Sequence, residues 1–175
     1  DLGAGRDRMT SFAVSMAHVY EEFVVAAVTD AFRRYPGSTS AQYGTTLDLP
    51  DHGTGSGIRM WVDLVHQVDR APAVVLDAKY IAASTSQQYP NANHYQMLAY
   101  CTALAVPVGW LVYAGPGPWR ERRIRNTGIS IVEFPIDISA SPAQILRRID
   151  DLVEHAWRRR ALGPAVDARD GAPAG

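Results

Sequence analysis

Among its 175 residues the sequence has one cysteine, Cys101, and one lysine, Lys79; the other 16 basic residues are arginine. A lone cysteine excludes an internal disulfide framework and a cysteine-built zinc or iron–sulfur site. Lys79 is followed by Tyr80, so the chain carries no Walker A loop, which needs Gly-Lys-Ser/Thr. Any lysine chemistry has to come from Lys79 alone. No apolar run approaches the roughly 18 residues of a membrane span, and no signal-peptide pattern opens the sequence. The expectation is a cytoplasmic protein with no membrane contact. His18, His52, His66, His94 and His155 show no His-Glu-x-x-His spacing and no zinc cluster. An excess of either charge is also missing. The net charge is −1, which argues against strong autonomous binding to a polyanion.

What remains is an ordinary apolar fraction of 47% in a length that suits one core. Residues 10–34 have helical periodicity, with Thr10 or Ser11 as the cap and Phe12, Met16, Val19, Tyr20, Phe23, Val24, Ala27 and Ala31 recurring. A strand over 39–49 leads to the glycine-rich stretch 51–57, which has the composition of a hairpin tip. It is no serine-hydrolase elbow, because Thr54 stands where that frame needs glycine. Strands follow over 58–68 and 73–81, joined by a turn around Asp69-Arg70-Ala71-Pro72. The second is almost continuously apolar, as a central strand buried on both faces should be. A polar loop (82–90) precedes a helix capped by Asn91 or Asn93 and running to about 105, with Tyr95, Leu98, Ala99, Thr102 and Ala103 spaced for packing. Strands are expected at Val108–Ala114, 120–125 and 129–136, with a turn at 115–118. Ser141-Pro142 opens a final helix over 143–160, with Ile145, Ile149, Leu152 and Trp157 turned inward. The expectation is one domain over 1–160, a three-layer α/β fold with a mixed sheet, and a disordered tail over 161–175.

The strand pair at 58–81 carries the chemistry. A turn centred on Arg70 sets Asp63 directly opposite Asp77, with Cβ atoms about 5 Å apart. Two like charges at that distance repel by about 3 kcal/mol at an effective dielectric near 20. A sheet keeps such a pair if one group is protonated or a cation sits between them. Lys79 lies two residues past Asp77 and so shares its face. Two carboxylates and an ammonium around one small volume suit Mg²⁺ or Mn²⁺. The competing reading makes them strand-end residues, with Lys79 neutralising one carboxylate.

At these residues the chain resembles the PD-(D/E)xK nuclease superfamily. More narrowly, it resembles the nuclease domain of McrC, the cleaving subunit of McrBC-type 5-methylcytosine restriction systems. The matching stretches are Val19-Tyr20-Glu21-Glu22-Phe23-Val24, Val62-Asp63-Leu64-Val65, Val74-Val75-Leu76-Asp77-Ala78-Lys79-Tyr80, Tyr95-Gln96-Met97-Leu98-Ala99-Tyr100 and Gly109-Trp110-Leu111-Val112-Tyr113. They span roughly residues 12–136. The motif's leading proline is Val62 here, at a position that supplies no ligand, and the family's partner-binding N-terminal region is not recognisable. The resemblance implies a restriction-endonuclease-like core and a Mg²⁺-dependent deoxyribonuclease. Asp63, Asp77 and the main-chain carbonyl of Ala78 would be metal ligands, and Glu21 would reach the metal or its water. Lys79 would orient the attacking water, and Gln96 would hold the site from the second helix. Periodicity does not choose between Glu21 and Glu22, although the Tyr-Glu-x-Phe-Val frame favours Glu21. Implied partners are DNA and an AAA+ GTPase motor of McrB type, in a phage-defence system. A homo-oligomer is left open.

DNA contact has to come from arginine. Arg120, Arg122, Arg123 and Arg125 with Trp119 are the candidates, whereas Arg158, Arg159 and Arg160 suit a solvated helix end. Trp61, Trp110 and Trp157 are expected in the core, His18 against the first helix, His94 on the surface and Cys101 packed within its helix. Two other functions compete. One is a RecB-like repair or processing nuclease, since Gln-x-x-x-Tyr after Asp-x-Lys occurs there as well. The other is a non-catalytic DNA-binding or assembly module.

Overall fold

A computed structural model describes residues 3–49, 57–80 and 90–160, with side chains in the first helix described from Met16 onward. The elements are α1 (Gly3–Phe32), β1 (Ser38–Thr46), β2 (Arg59–Val68), β3 (Ala71–Lys79), α2 (Asn91–Ala103), β4 (Val108–Ala114), β5 (Arg120–Arg123), β6 (Ser130–Ile136) and α3 (Pro142–Arg159). The strands form one sheet in the order β1-β2-β3-β4-β6-β5. β3, β4 and β6 run parallel, while β1–β2, β2–β3 and β5–β6 pair antiparallel. Leu64, Leu76, Trp110, Val112 and Phe134 face α1 and α3 on one side. Val62, Val75, Leu111, Tyr113 and Ile131 face α2 on the other. This is the three-layer, restriction-endonuclease-like α/β architecture. Residues 51–56 of the expected hairpin tip, 82–89 of the expected polar loop and the whole tail (161–175) lie outside the described residues.

Helix faces depart from the sequence expectation for packing reasons. Thr10 and Ser11 lie inside α1 rather than capping it. Its buried line is Tyr20, Val24, Val28 and Phe32, whereas Val19 and Phe23 are exposed. Four-residue steps trace one narrow stripe, so apolar residues one position beside it stay in water. In α2 the cap is Pro90, with no side-chain hydrogen bond from either asparagine. Its buried residues are Met97, Tyr100 and Cys101, while Tyr95 and Thr102 face solvent. Gly109 of β4 selects that face. A Cβ there would stand 2.4 Å from Met97 Sδ and 2.6 Å from Cys101 Sγ, so the missing side chain is what admits the helix. In α3 the capping box forms as its sequence implies. The Ser141 side chain accepts from the Gln144 N–H, and the Ser141 N–H donates to Gln144 Oε1 at 2.9 Å.

The β2–β3 hairpin turns in two residues, Asp69 and Arg70, both at positive φ (51° and 68°) with Val68 paired to Ala71. That is the primed turn which suits twisted strands. The turn is therefore shorter than the one expected around residues 69–72. On that register Asp63 and Asp77 would miss each other by one position. An irregularity between His66 and Gln67 restores the offset, so that Leu64 pairs with Leu76. Carried one position beyond that last pair, the offset sets Asp63 opposite Asp77. A one-residue slip moves side chains to the opposite face, so this bulge is what brings the two carboxylates together.

Candidate active site

Pairing of β2 with β3 stops at Leu64–Leu76, and beyond it the strands separate. Asp63 fills the first gap. Its Oδ2 accepts the Ala78 N–H at 2.9 Å, and its Oδ1 lies 3.5 Å from Gln42 Nε2. Asp77 sits opposite on a strand buried from both sides and is 1% exposed. The two carboxyls come close enough to hydrogen-bond when one holds a proton. Burial first, then the charge on Asp63, push the Asp77 pKa up to about 7 against the pull of Lys79. Lys79 Nζ lies 2.7 Å from Asp77 Oδ2. Beyond this ion pair, that buried oxygen has no hydrogen-bond donor among the described residues. Burial works against the charge on Lys79, but Asp77, Asp63 and Glu21 together hold its pKa above the usual lysine value.

Glu21 approaches from α1. Its carboxyl titrates higher than usual because of burial and the charge on Asp63, with Lys79 and His18 opposing. Glu22 points away, exposed, and pairs with His18 Nε2 at 3.0 Å on the helix surface. The two glutamates that periodicity left equivalent are therefore separated by the fold, and Glu21 is the one in the field of the aspartates. From α2, Gln96 hydrogen-bonds the Tyr100 side chain one turn later. Tyr100 in turn donates to the Trp61 carbonyl oxygen at 2.7 Å. Burial, Asp77 and Asp63 all raise the Tyr100 pKa, so its hydroxyl stays protonated beside the acidic pair. Sequence reading passed over Tyr100 as a site residue. Its place four residues after Gln96, on the same helix face, was the available signal.

These residues bring three carboxylates and one ammonium to a single corner of the sheet, an arrangement short of positive charge. Among the described residues no group of three or more His, Cys, Asp or Glu side chains is gathered closely enough to cage a metal ion. The donor set nonetheless fits Mg²⁺ or Mn²⁺. Mg²⁺ usually takes one or two carboxylates and keeps several waters, and Asp77 Oδ2 is a buried carboxyl oxygen that, among the described residues, meets only Lys79.

The arginine candidates lie elsewhere. Arg120 is in the same cross-strand row as Asp77, through Leu111 and Glu133, but three strand spacings away, about 14 Å. Arg122 pairs with Glu133, and Glu121 between them pairs with Arg159 at 2.6 Å. The Trp119 ring lies 5.9 Å from that of His155. Arg125 is exposed beyond the end of β5. The fold does not bring this cluster to the aspartates. The run at the end of α3 is engaged at home: Arg158 with Glu154, and Arg160 stacked 3.4 Å over Trp157.

Two histidine and tryptophan expectations are overturned. His94 is no surface residue. Its Nε2 lies 2.7 Å from Glu133 Oε1, with only 12% of its side chain exposed. Glu133, on a central strand, is 1% exposed, and a buried carboxylate needs such partners. Trp61 is not in the core, being 61% exposed on β2, whereas Trp110 is buried as expected.

The sheet order, the acidic strand pair and the flanking helices define a restriction-endonuclease-like α/β protein with an acidic cluster where the β2–β3 ladder ends. The model of the family described as McrBC 5-methylcytosine restriction system component matches residues 1–114, which includes α1 through β4. The chain belongs to that family and is a restriction-system component. No curated protein matches it. Among the described residues no helix is long and apolar enough to cross a membrane.

Proposed function

We propose that this chain is the cleaving subunit of its restriction system, a metal-dependent DNA endonuclease of the PD-(D/E)xK type. The observation that carries this reading is the convergence of Asp63, Asp77, Lys79 and Glu21 at the point where β2 and β3 part. Asp63, Asp77 and the Ala78 carbonyl would hold Mg²⁺ or Mn²⁺. A divalent ion bound there supplies Lewis-acid stabilisation of phosphoryl charge and a more acidic water. Lys79 sits where it can orient the attacking water and meet the negative charge that develops on phosphate. Glu21 faces the same volume from α1 and can accept a proton or a hydrogen bond from that water. Gln96 and Tyr100 brace the β2 side by tying α2 to the Trp61 peptide. The near-neutral chain suits delivery to DNA by another subunit, an AAA+ GTPase motor. Such a partner would also have to supply nucleotide hydrolysis, since no P-loop is present. Family membership favours this over a RecB-like processing nuclease, and the assembled constellation weighs against a module without turnover.

The test is cleavage of a DNA substrate in Mg²⁺ or Mn²⁺, with and without the GTPase subunit. Asp77→Ala and Lys79→Ala are each expected to slow cleavage by at least about 10²-fold, the usual cost of losing a group aimed at transition-state charge. Wild-type rates in both variants overturn the assignment.

A further inference from the structure

On the nuclease reading above, we propose that Gln42 is a positioning residue for Asp63, holding that carboxylate in the plane from which it meets a divalent ion. Gln42 has φ 49°, in the left-handed region that a side chain of this kind seldom adopts. Four other non-glycine residues of the described chain share that region. Asp69 and Arg70 make the β2–β3 turn, Asn126 lies in the β5–β6 connection, and Ala105 follows the end of α2. Among the described residues Gln42 alone stands inside a strand. It is not the extra residue of a bulge, because the β1–β2 register is the same on both sides of it: Ala41 pairs with Leu64 and Tyr43 with Val62. An inserted residue would shift that register.

The unshifted register sets Gln42 opposite Asp63. Its Nε2 donates to Asp63 Oδ1 over 3.5 Å, a long hydrogen bond in the metal-free chain. The other oxygen, Oδ2, accepts the Ala78 N–H at 2.9 Å. One donor comes from β1 and the other from β3, on either side of β2. The terminal torsion of an aspartate is broad, so a donor at each oxygen is what fixes the plane of this carboxylate. An ionised carboxylate has about four lone-pair directions, and two donors leave the rest for a metal. The glutamine amide is also neutral. It holds Asp63 without the positive charge that a lysine or arginine would set against a divalent ion. Backbone outliers persist where the surroundings over-determine them, and they gather at functional sites. Among the described residues the one side-chain hydrogen bond of Gln42 goes to a carboxylate of the acidic pair. The strained backbone and the contact with Asp63 therefore belong to one device.

The experiment compares Gln42→Ala and Gln42→Gly in the full chain. Both remove the amide, but only glycine also relieves the backbone. In EDTA, Gln42→Gly is expected to melt about 2–4 °C above Gln42→Ala. Scanning fluorimetry across a Mg²⁺ titration then reads the metal without turnover, since a ligand of the folded state raises the melting temperature according to its dissociation constant. Both variants should need at least about tenfold more Mg²⁺ than wild type for the same rise, the usual cost of losing a group that orients a metal ligand. Single-turnover DNA cleavage should show the same shift in Mg²⁺ requirement, with the loss largest at low Mg²⁺ and reduced by excess metal. A merely structural role would lower the rate equally at every Mg²⁺ concentration, and that result overturns the proposal. A wild-type Mg²⁺ response in both Gln42 variants, with the response lost in Asp77→Ala, overturns the positioning role and leaves the nuclease reading intact. Gln42→Gly melting no higher than Gln42→Ala overturns it as well, because the strand then holds no strain for the contact. A Mg²⁺ response that survives in Asp77→Ala too strikes the metal site itself, and both readings fall.

Discussion

Asp77 is held in a state that water would not allow it. Burial and the neighbouring Asp63 push its pKa up to about 7 in the metal-free chain, whereas an unfolded aspartate titrates near 4. Between those values the folded chain keeps a proton that the unfolded chain has released. The contribution of Asp77 to stability is therefore full below about pH 4 and is lost as pH rises through about 7. The melting temperature of the metal-free protein is expected to fall between about pH 4 and 7, and Asp77→Asn should flatten that slope. Scanning fluorimetry of both proteins in EDTA checks it, and an unaltered slope in the variant would refute the assignment. A divalent ion competes with that proton, so added Mg²⁺ should raise the melting temperature more at the alkaline end than at the acidic end. Much of this chemistry was legible in the residues. The spacing of Asp63, Asp77 and Lys79 marks a shared face, and one lysine in the whole chain narrows the choice to a single ammonium. Glu21 against Glu22 was not legible, because both flank the same apolar stripe and only the line of α1 across the sheet separates them.

Among the elements, α2 has the most demanding seat. Its apolar residues run almost all round, so periodicity favoured the face of Tyr95, Leu98 and Thr102. The buried face is instead Met97, Tyr100 and Cys101, chosen by the bare backbone at Gly109. Gly109→Ala is expected to destabilise the protein by about 1–3 kcal/mol through overpacking. It should also displace Tyr100 from the Trp61 carbonyl. Urea unfolding measures the first effect, and the second should appear as a loss of cleavage rate greater than the loss of folded fraction. Retention of both would show that the two sulfur-bearing side chains yield freely. His94 is a second reason the helix sits where it does, since it ties the first turn of α2 to Glu133 on β6. A pairing between residues 39 positions apart has no signature in either local sequence.

At the scale of the whole molecule, two cores pack on opposite faces of one sheet. The core beneath α1 and α3 includes Leu152, fully buried with Ile149, Val153 and Ala156 on the inner side of α3. Leu152→Ala should cost about 2–5 kcal/mol, measurable by denaturant unfolding. A loss under 1 kcal/mol would mean that α3 contributes little to this core. The mutation lies on the face away from α2, so the residual folded protein should cleave with an unchanged Asp77 dependence. Opposite charges are spread over the molecule in local pairs, such as Arg34 with Asp150 at 2.5 Å and Arg159 with Glu121. This is why a balanced net charge conceals a corner of the sheet short of positive charge.

The sequence by itself determined the order of helices and strands, the central apolar strand, the capping of α3 and the acidic strand pair with its lysine. These rest on period, turn chemistry and nearest neighbours, which act over a few residues. Only the tertiary structure decided which glutamate faces the acidic pair, which side of α2 is buried, that His94 is inside and Trp61 outside, and that the arginines of β5 sit three strands from the aspartates. Each of those depends on what a distant segment places alongside. Even the meeting of Asp63 and Asp77 required both levels. A two-residue turn set the register one position short, and a bulge imposed where β2 and β3 pack into the sheet supplied the missing residue.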